Sequence, residues 1–224
     1  MPRLARTVFP GIPHHITQRG NRREDVFFSA DDRIRYLDWL KEYTEKHQVD
    51  VLAYCLMTNH IHLVLVPTTE DGLQSVLKPL HMRYAQHINR SQSWKGHLWQ
   101  GRFFSSALDE IYTWAAIRYV ELNPVRARMN RKAEKYPWSS AAGHCGLKED
   151  LLICRKADWQ KQFEAIGNWS QWLAEGDNEV ELNHLRRNAD KGLPCGLEPF
   201  ISRLEKLSGR SLRFKPQGRP RIES

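Results

Sequence analysis

The chain is poor in cysteine. Its four cysteines, Cys55, Cys145, Cys154 and Cys195, include no C-x-x-C pair, and their spacing fits no zinc ribbon. Cys55 lies in the apolar run VDVLAYCLM and reads as a small buried hydrophobe. No window approaches 18 consecutive apolar residues, so no membrane-spanning helix is expected. The opening residues MPRLARTVFPG carry no apolar h-region, so no secretory signal is expected, and the thiols should stay reduced in a cytoplasmic, nucleoid-associated setting. No segment recurs at a fixed period, which excludes a repeat architecture. Negative charge is also in deficit: 26 Asp and Glu against 34 Lys and Arg give a net charge of +8 and a pI near 9.4.

That imbalance favours an anionic partner, nucleic acid or an anionic membrane surface, over a merely solvated basic surface. Arginine recurs in clusters, RGNRRE at 19–24, VRARMNRK at 125–132, LRR at 185–187 and GRPR at 218–221. The guanidinium fork suits phosphate better than an ammonium does. A length of 224 residues, 41% of them hydrophobic, allows one substantial domain with an appendage, or two small domains.

Hydrophobic periodicity divides the first half of the chain. HHITQRG (14–20) reads as a strand. Ser29 opens a helix to about residue 47, and 49–57 and 60–67 are two strands joined by the turn at Thr58 and Asn59. Residues 71–91 form a helix that Pro79 should kink or start late. Residues 98–109 form a strand with a bulge or bend at Gly101. Residues 110–123 form a helix that Pro124 ends. The order β-α-β-β-α-β is that of a ferredoxin-like split βαβ unit, an α+β fold with helices on one face of an antiparallel sheet. Residues 157–175, 177–191 and 198–209 read as helices. We therefore divide the chain into 1–147, a mostly helical extension at 148–210, and a basic tail at 211–224 expected to be mobile.

One stretch stands out, MTNHIHLVLVP at 57–67. Residues i and i+2 of a strand share a face, so His60 and His62 lie about 7 Å apart on one side, with Ile61 and Leu63 on the other. Two imidazoles so placed can converge on one divalent ion. The competing reading is a pair of satisfied core histidines. The helix at 110–123 adds a stripe of Tyr112, Ala116, Tyr119 and Asn123. Tyr119 and Asn123 are neighbours one turn apart, with Ala116 keeping the stripe low, so a phenol and an amide can face the imidazoles together. The alternative is a tyrosine packed on the sheet and an asparagine that closes the helix. By donor chemistry, imidazoles and an amide oxygen suit Mn²⁺, Co²⁺ or Zn²⁺.

Four stretches together, HHITQRGNRRE, MTNHIHLVLVP, LWQGRFFSS and RYVELNPVRARM, resemble the HUH nucleases with a single tyrosine. More narrowly they resemble the REP-associated tyrosine transposases, relatives of the IS200-like insertion-sequence enzymes. The likeness covers most of 1–140 and returns near 197–222. It implies that His60 and His62 are metal ligands, that Tyr119 is the nucleophile, and that Asn123, where the insertion-sequence branch usually has Gln, is the third ligand. Tyr112 is the weaker nucleophile candidate. The resemblance also implies Mg²⁺ or Mn²⁺ as cofactor. The implied partner is single-stranded DNA bearing a palindromic hairpin and a short unpaired tag, with no membrane. A monomer is the expected state, although insertion-sequence relatives are often dimers with exchanged tyrosine helices. The expected activity is nicking and strand joining through a 5′-phosphotyrosine. The rival expectations are a hairpin-binding regulator without chemistry and a phosphoesterase using activated water. Three groups are expected on the DNA: Arg19, Arg22 and Arg23; then Trp99, Gln100 and Arg102; then Arg126 and Arg128. The GRPR tail resembles a minor-groove arginine hook or a nonspecific basic tail.

Overall fold

A computed structural model of the chain describes residues 7–214; most of the basic tail, with GRPR, lies outside the described residues. Four antiparallel strands, β1 (His14–Arg19), β2 (Asp50–Leu56), β3 (His60–Val66) and β4 (Phe104–Ala107), stand in the order β2-β3-β1-β4. Two helices, α1 (Ala30–Lys46) and α2 (Gly72–Ser91), complete the split βαβ order. The expected α+β, ferredoxin-like fold is present.

Local chemistry explains the elements. Ser29 opens α1 with a reciprocal capping box: its hydroxyl accepts from the Asp32 amide at 3.1 Å, and the Asp32 carboxylate accepts from the Ser29 amide at 2.9 Å. Pro79 sits inside α2, which runs unbroken to Ser91 rather than starting late. The strand expected over 98–109 is shorter. Only Phe104–Ala107 forms a ladder, and Trp99 makes an isolated bridge to Gly20. The chain bends away between them because the Gln18 side chain donates to the Gly101 carbonyl at 2.8 Å, taking the place of a ladder bond.

The strands alternate between two cores. Ile16, Ile61, Leu63 and Leu65 pack with α1 and α2 residues such as Tyr36, Leu40, Leu73 and Tyr84. Leu52, Val64 and Val66 pack on the opposite face with α3 (Glu110–Glu121) through Ala116, Ile117 and Val120. Both faces of the sheet are therefore covered: α1 and α2 share one, as the split βαβ order implies, and α3 takes the other. A one-residue slip of β3 would turn Ile61, Leu63 and Leu65 out of their core, at about 1.5–3 kcal/mol each, and turn His60 and His62 in. Hydrophobic burial thus fixes which face receives the imidazoles.

The extension joins the second core. The short helices α4 (Asn123–Arg126) and α5 (Ala141–His144) lead to it, and it carries α6 (Ala157–Ala165), α7 (Trp169–Ala174), α8 (Glu179–Ala189) and α9 (Glu198–Ser208). Phe163, Trp169, Leu173 and Leu185 share their cluster with α3. The single helix expected over 157–175 is two, because Gly167 adopts a left-handed φ of 68° between α6 and α7. Both sheet edges are also covered. Ser140 N–H donates to Tyr54 O, and Cys154 N–H to Val51 O, along β2; Cys195 N–H donates to Ala107 O along β4. Cys55 is fully buried, as expected for a small hydrophobe.

Candidate active site

Strand register assembles the site from three elements. Thr17 lies opposite His62, and Arg19 opposite His60, so all four side chains share the face that α3 covers. Tyr119 points to the same place. Its ring centroid lies 5.4 Å from that of His62 and 5.7 Å from that of His15, edge-on to both. The rings of His60 and His62 lie 5.0 Å apart. A helix phenol and paired strand imidazoles do converge. Tyr119 is half-buried and so remains open to a ligand. The weaker candidate, Tyr112, is buried, and its hydroxyl lies 3.0 Å from His184 Nδ1 in α8, away from this cluster.

The hydrogen bonds behind the imidazoles fix what they present. His60 Nδ1 lies 2.6 Å from Asn59 Oδ1. An amide oxygen only accepts, so His60 carries its proton on Nδ1 and leaves the Nε2 lone pair free. Asn59 is itself held: its Nδ2 donates to the Arg23 carbonyl at 2.9 Å. The 20–26 loop makes this possible. Arg22 and Arg23 adopt left-handed φ of 54° and 65°, and Gly20 N–H donates to Asn59 O at 2.8 Å. Gly20 is required there, since a Cβ would sit 2.2 Å from Glu24 O. His62 Nδ1 lies 3.0 Å from His15 Nε2, and the two rings stack. When His62 donates this bond, its Nε2 is also a free lone pair. Imidazole ligands oriented by such partners are the common design of metal centres.

Electrostatics keep the rings neutral. Burial pulls His60 down to about 4, and the Arg19 guanidinium adds to it. Burial likewise pulls His15 to about 4, with Arg126 adding. His62 falls well below its ordinary value through burial first, then through His60, His15 and the two arginines. Neutral imidazoles are the form that binds a metal. Asn123 is 9% exposed, and among the described residues its buried Nδ2 has no hydrogen-bond partner. Two imidazoles and an amide therefore fit a divalent cation, although among the described residues no three His, Cys, Asp or Glu side chains converge for one. The helix expected to reach Asn123 ends at Glu121; Leu122 keeps helical dihedrals (φ −81°, ψ −3°), and Asn123 starts the next turn with Pro124 behind it. The proline lacks the N–H that would continue the ladder.

The arginines and the tryptophan divide. Arg19, Arg22, Arg23, Arg102, Arg128 and Gln100 are exposed. Arg126 is not presented to solvent anions, contrary to expectation. Its guanidinium lies 4.2 Å from the centre of the Tyr119 ring, donates to the Tyr119 carbonyl, and pairs with Asp177 at 2.5 Å. Trp99 likewise is a core residue rather than an open stacking platform. It is 8% exposed, donates from Nε1 to the His81 carbonyl at 3.1 Å and packs against the His81 and Tyr84 rings. Sequence reasoning missed His15, Asn59 as the partner of His60, and Asp177. The doublet His14-His15 beside the site strand was the available signal for the first; nothing near Arg126 in sequence announced the last.

Residues 9–123 match the family described as transposase IS200 like. The chain belongs to the IS200-like transposase family. The matched span holds His60, His62, Tyr119 and Asn123, and it leaves the helical extension outside. Among solved structures, a REP-associated tyrosine transposase bound to a REP hairpin is similar at 16% identity and a TM-score of 0.54, over 69% of this chain and 98% of that one. A putative transposase from Deinococcus radiodurans R1 is 16% identical over 58% of this chain and 93% of that one, with a TM-score of 0.38. No curated protein matches the chain. Among the described residues no helix is long and apolar enough to cross a membrane.

Proposed function

We propose that this transposase nicks and rejoins single-stranded DNA at palindromic hairpins, with Tyr119 as nucleophile. The observation that carries the reading is the convergence of the Tyr119 ring on His62 and His15 at 5.4 and 5.7 Å. The hairpin held by the structurally similar REP-associated enzyme supports the substrate class.

His60, His62 and Asn123 would hold a divalent cation, Mg²⁺ or Mn²⁺ in keeping with the family resemblance. Bound there, the cation would polarise the scissile phosphate and stabilise charge on its oxygens. The protein's own residues do the rest. Arg19, exposed beside His60, offers a guanidinium to the incoming phosphate. Arg126, stacked on the Tyr119 ring and tied to its carbonyl, holds the phenol in one orientation. Tyr119 Oη attacks phosphorus and gives up its proton to solvent. An O–P bond forms, the P–O3′ bond breaks, and the leaving oxygen takes a proton to become a free 3′-OH. The 5′ phosphate stays on the tyrosine. Because one phosphodiester has been exchanged for another, a 3′-OH can reverse the step or join strands with no added energy source. The exposed Arg22, Arg23, Gln100, Arg102 and Arg128 would contact the DNA.

Wild type and Tyr119→Phe, incubated with labelled hairpin DNA carrying unpaired flanks and Mn²⁺, provide the test on a denaturing gel. Wild type should yield a covalent protein–DNA band and Tyr119→Phe none. Binding with no adduct from wild type would leave a hairpin-binding regulator on the same fold. Cleavage that survives Tyr119→Phe would point to activated water.

A further inference from the structure

The loop at residues 20–24 joins the exposed arginines to the metal-ligand candidates. Arg22 (φ 54°, ψ 17°) and Arg23 (φ 65°) are consecutive left-handed residues in the single 3-10 turn Asn21–Arg23. That conformation is strained for a residue with a Cβ and persists only where its surroundings hold it. Backbone bonds fasten the ends of the loop. Gly20 N–H donates to Asn59 O and Asn21 N–H to Leu98 O, both at 2.8 Å, and Val26 N–H donates to Thr58 O at 3.0 Å. Between these ends the Arg23 carbonyl accepts from Asn59 Nδ2 at 2.9 Å, and Asn59 Oδ1 lies 2.6 Å from His60 Nδ1. Two hydrogen bonds thus run from a strained, exposed turn to His60. His60 depends on them more than His62 depends on any one bond. His62 is buried and stacks on His15, so packing fixes its ring. His60 is only half-buried, and Asn59 is what its Nδ1 meets.

We propose that Arg22 and Arg23 couple hairpin DNA to the cation. The inference rests on the metal and DNA contacts proposed above and adds a regulation of that same site. Phosphates gripped by the two guanidiniums hold the turn in its left-handed geometry. The fixed Arg23 carbonyl then holds Asn59, and Asn59 aims His60 Nε2 at the cation. Without DNA the turn can relax, its carbonyl moves off Asn59, and the half-buried His60 ring is free to swing. Substrate thereby completes the metal centre, and the chain without a hairpin holds its cation more loosely. Coupling between two sites is reciprocal, so the cation should tighten the hairpin by the same factor.

The test uses the full-length chain carrying Tyr119→Phe, so that the tyrosine step is absent. The DNA is a blunt-ended hairpin, which brings no unpaired flank and so no scissile phosphate to the cation. Mn²⁺ affinity is read by titration calorimetry with and without saturating hairpin. In this parent the hairpin should tighten Mn²⁺ by about fivefold or more. Asn59→Ala cuts the chain of bonds without changing any charge and should reduce that gain to less than about twofold. Arg22→Gln with Arg23→Gln, at exposed positions, should lose it as well. In the reverse arm, Mn²⁺ should tighten the hairpin in fluorescence anisotropy by the same factor in the parent and not in Asn59→Ala. Thermal midpoints confirm folding. No gain in the parent would overturn the proposal even where wild type forms the tyrosine adduct. An equal gain in Asn59→Ala would overturn it too, because the effect would then belong to charge alone. Conversely, a gain that needs Asn59, in a protein whose wild type forms no adduct, would keep the coupling and remove the nicking reading.

Discussion

At the scale of single residues, the site depends on side chains that touch no substrate. Asn59 gives His60 its orientation, and His15 does the same for His62. Removing such partners from a metal site weakens it by about 10- to 100-fold. We expect Asn59→Ala to weaken Mn²⁺ binding, read by titration calorimetry on the folded protein, by about tenfold or more. An unchanged affinity would show that the His60 tautomer needs no help. Arg126 is a second case. Its partner Asp177 comes from the extension, and truncation would strand a largely buried guanidinium beside Tyr119. Asp177→Ala should slow adduct formation about tenfold or more while leaving the fold intact. The histidine pair was readable in the sequence because strand geometry alone puts i and i+2 on one face. His15, Asp177 and the burial of Trp99 were not, because each depends on a residue 47, 51 or 18 positions away.

Among the elements, α3 matters most, and it is fastened on two sides. Its inner side carries Glu121, fully buried, which accepts from Ser140 at 2.5 Å and Trp169 at 2.7 Å and lies 2.6 Å from His144 Nδ1. On its outer side, Arg118 donates to the Gly176 carbonyl at 2.9 Å and stacks on Trp172 at 4.2 Å. The extension thus positions the tyrosine helix from both directions. Glu121→Ala would leave Trp169 Nε1 and His144 Nδ1 unsatisfied, while the Ser140 hydroxyl keeps its bonds to the Tyr54 backbone, and should cost about 2–4 kcal/mol in urea unfolding. A cost below about 0.5 kcal/mol would mean the network relaxes around the gap. The same network explains why sequence periodicity found α3 but not its surroundings: amphipathic spacing gives a helix its apolar stripe, whereas a buried carboxylate finds its donors only once three distant segments meet.

For the molecule as a whole, charge and buried histidine set the expected behaviour. With a net charge of +8, affinity for DNA should fall steeply and linearly with log salt; a flat dependence would argue against phosphate contacts. Burial lowers both His14 and His15 from 6.5 to about 4. Between pH 6.5 and 4 the unfolded chain binds protons that the folded chain refuses, so stability should drop as pH falls through that window and hold level above it. Thermal melts at pH 7.5, 6 and 5 would check the sign, and a midpoint that rises on acidification would refute it. The sequence by itself determined the order of elements, the face that carries His60 and His62, and the nucleophile candidate Tyr119, because these follow from periods of two and 3.6 within short segments. Tertiary structure alone decided that both sheet faces are covered and that Arg126 serves Tyr119 rather than solvent anions. Those outcomes depend on which surfaces bury one another, and burial is a property of the assembled chain.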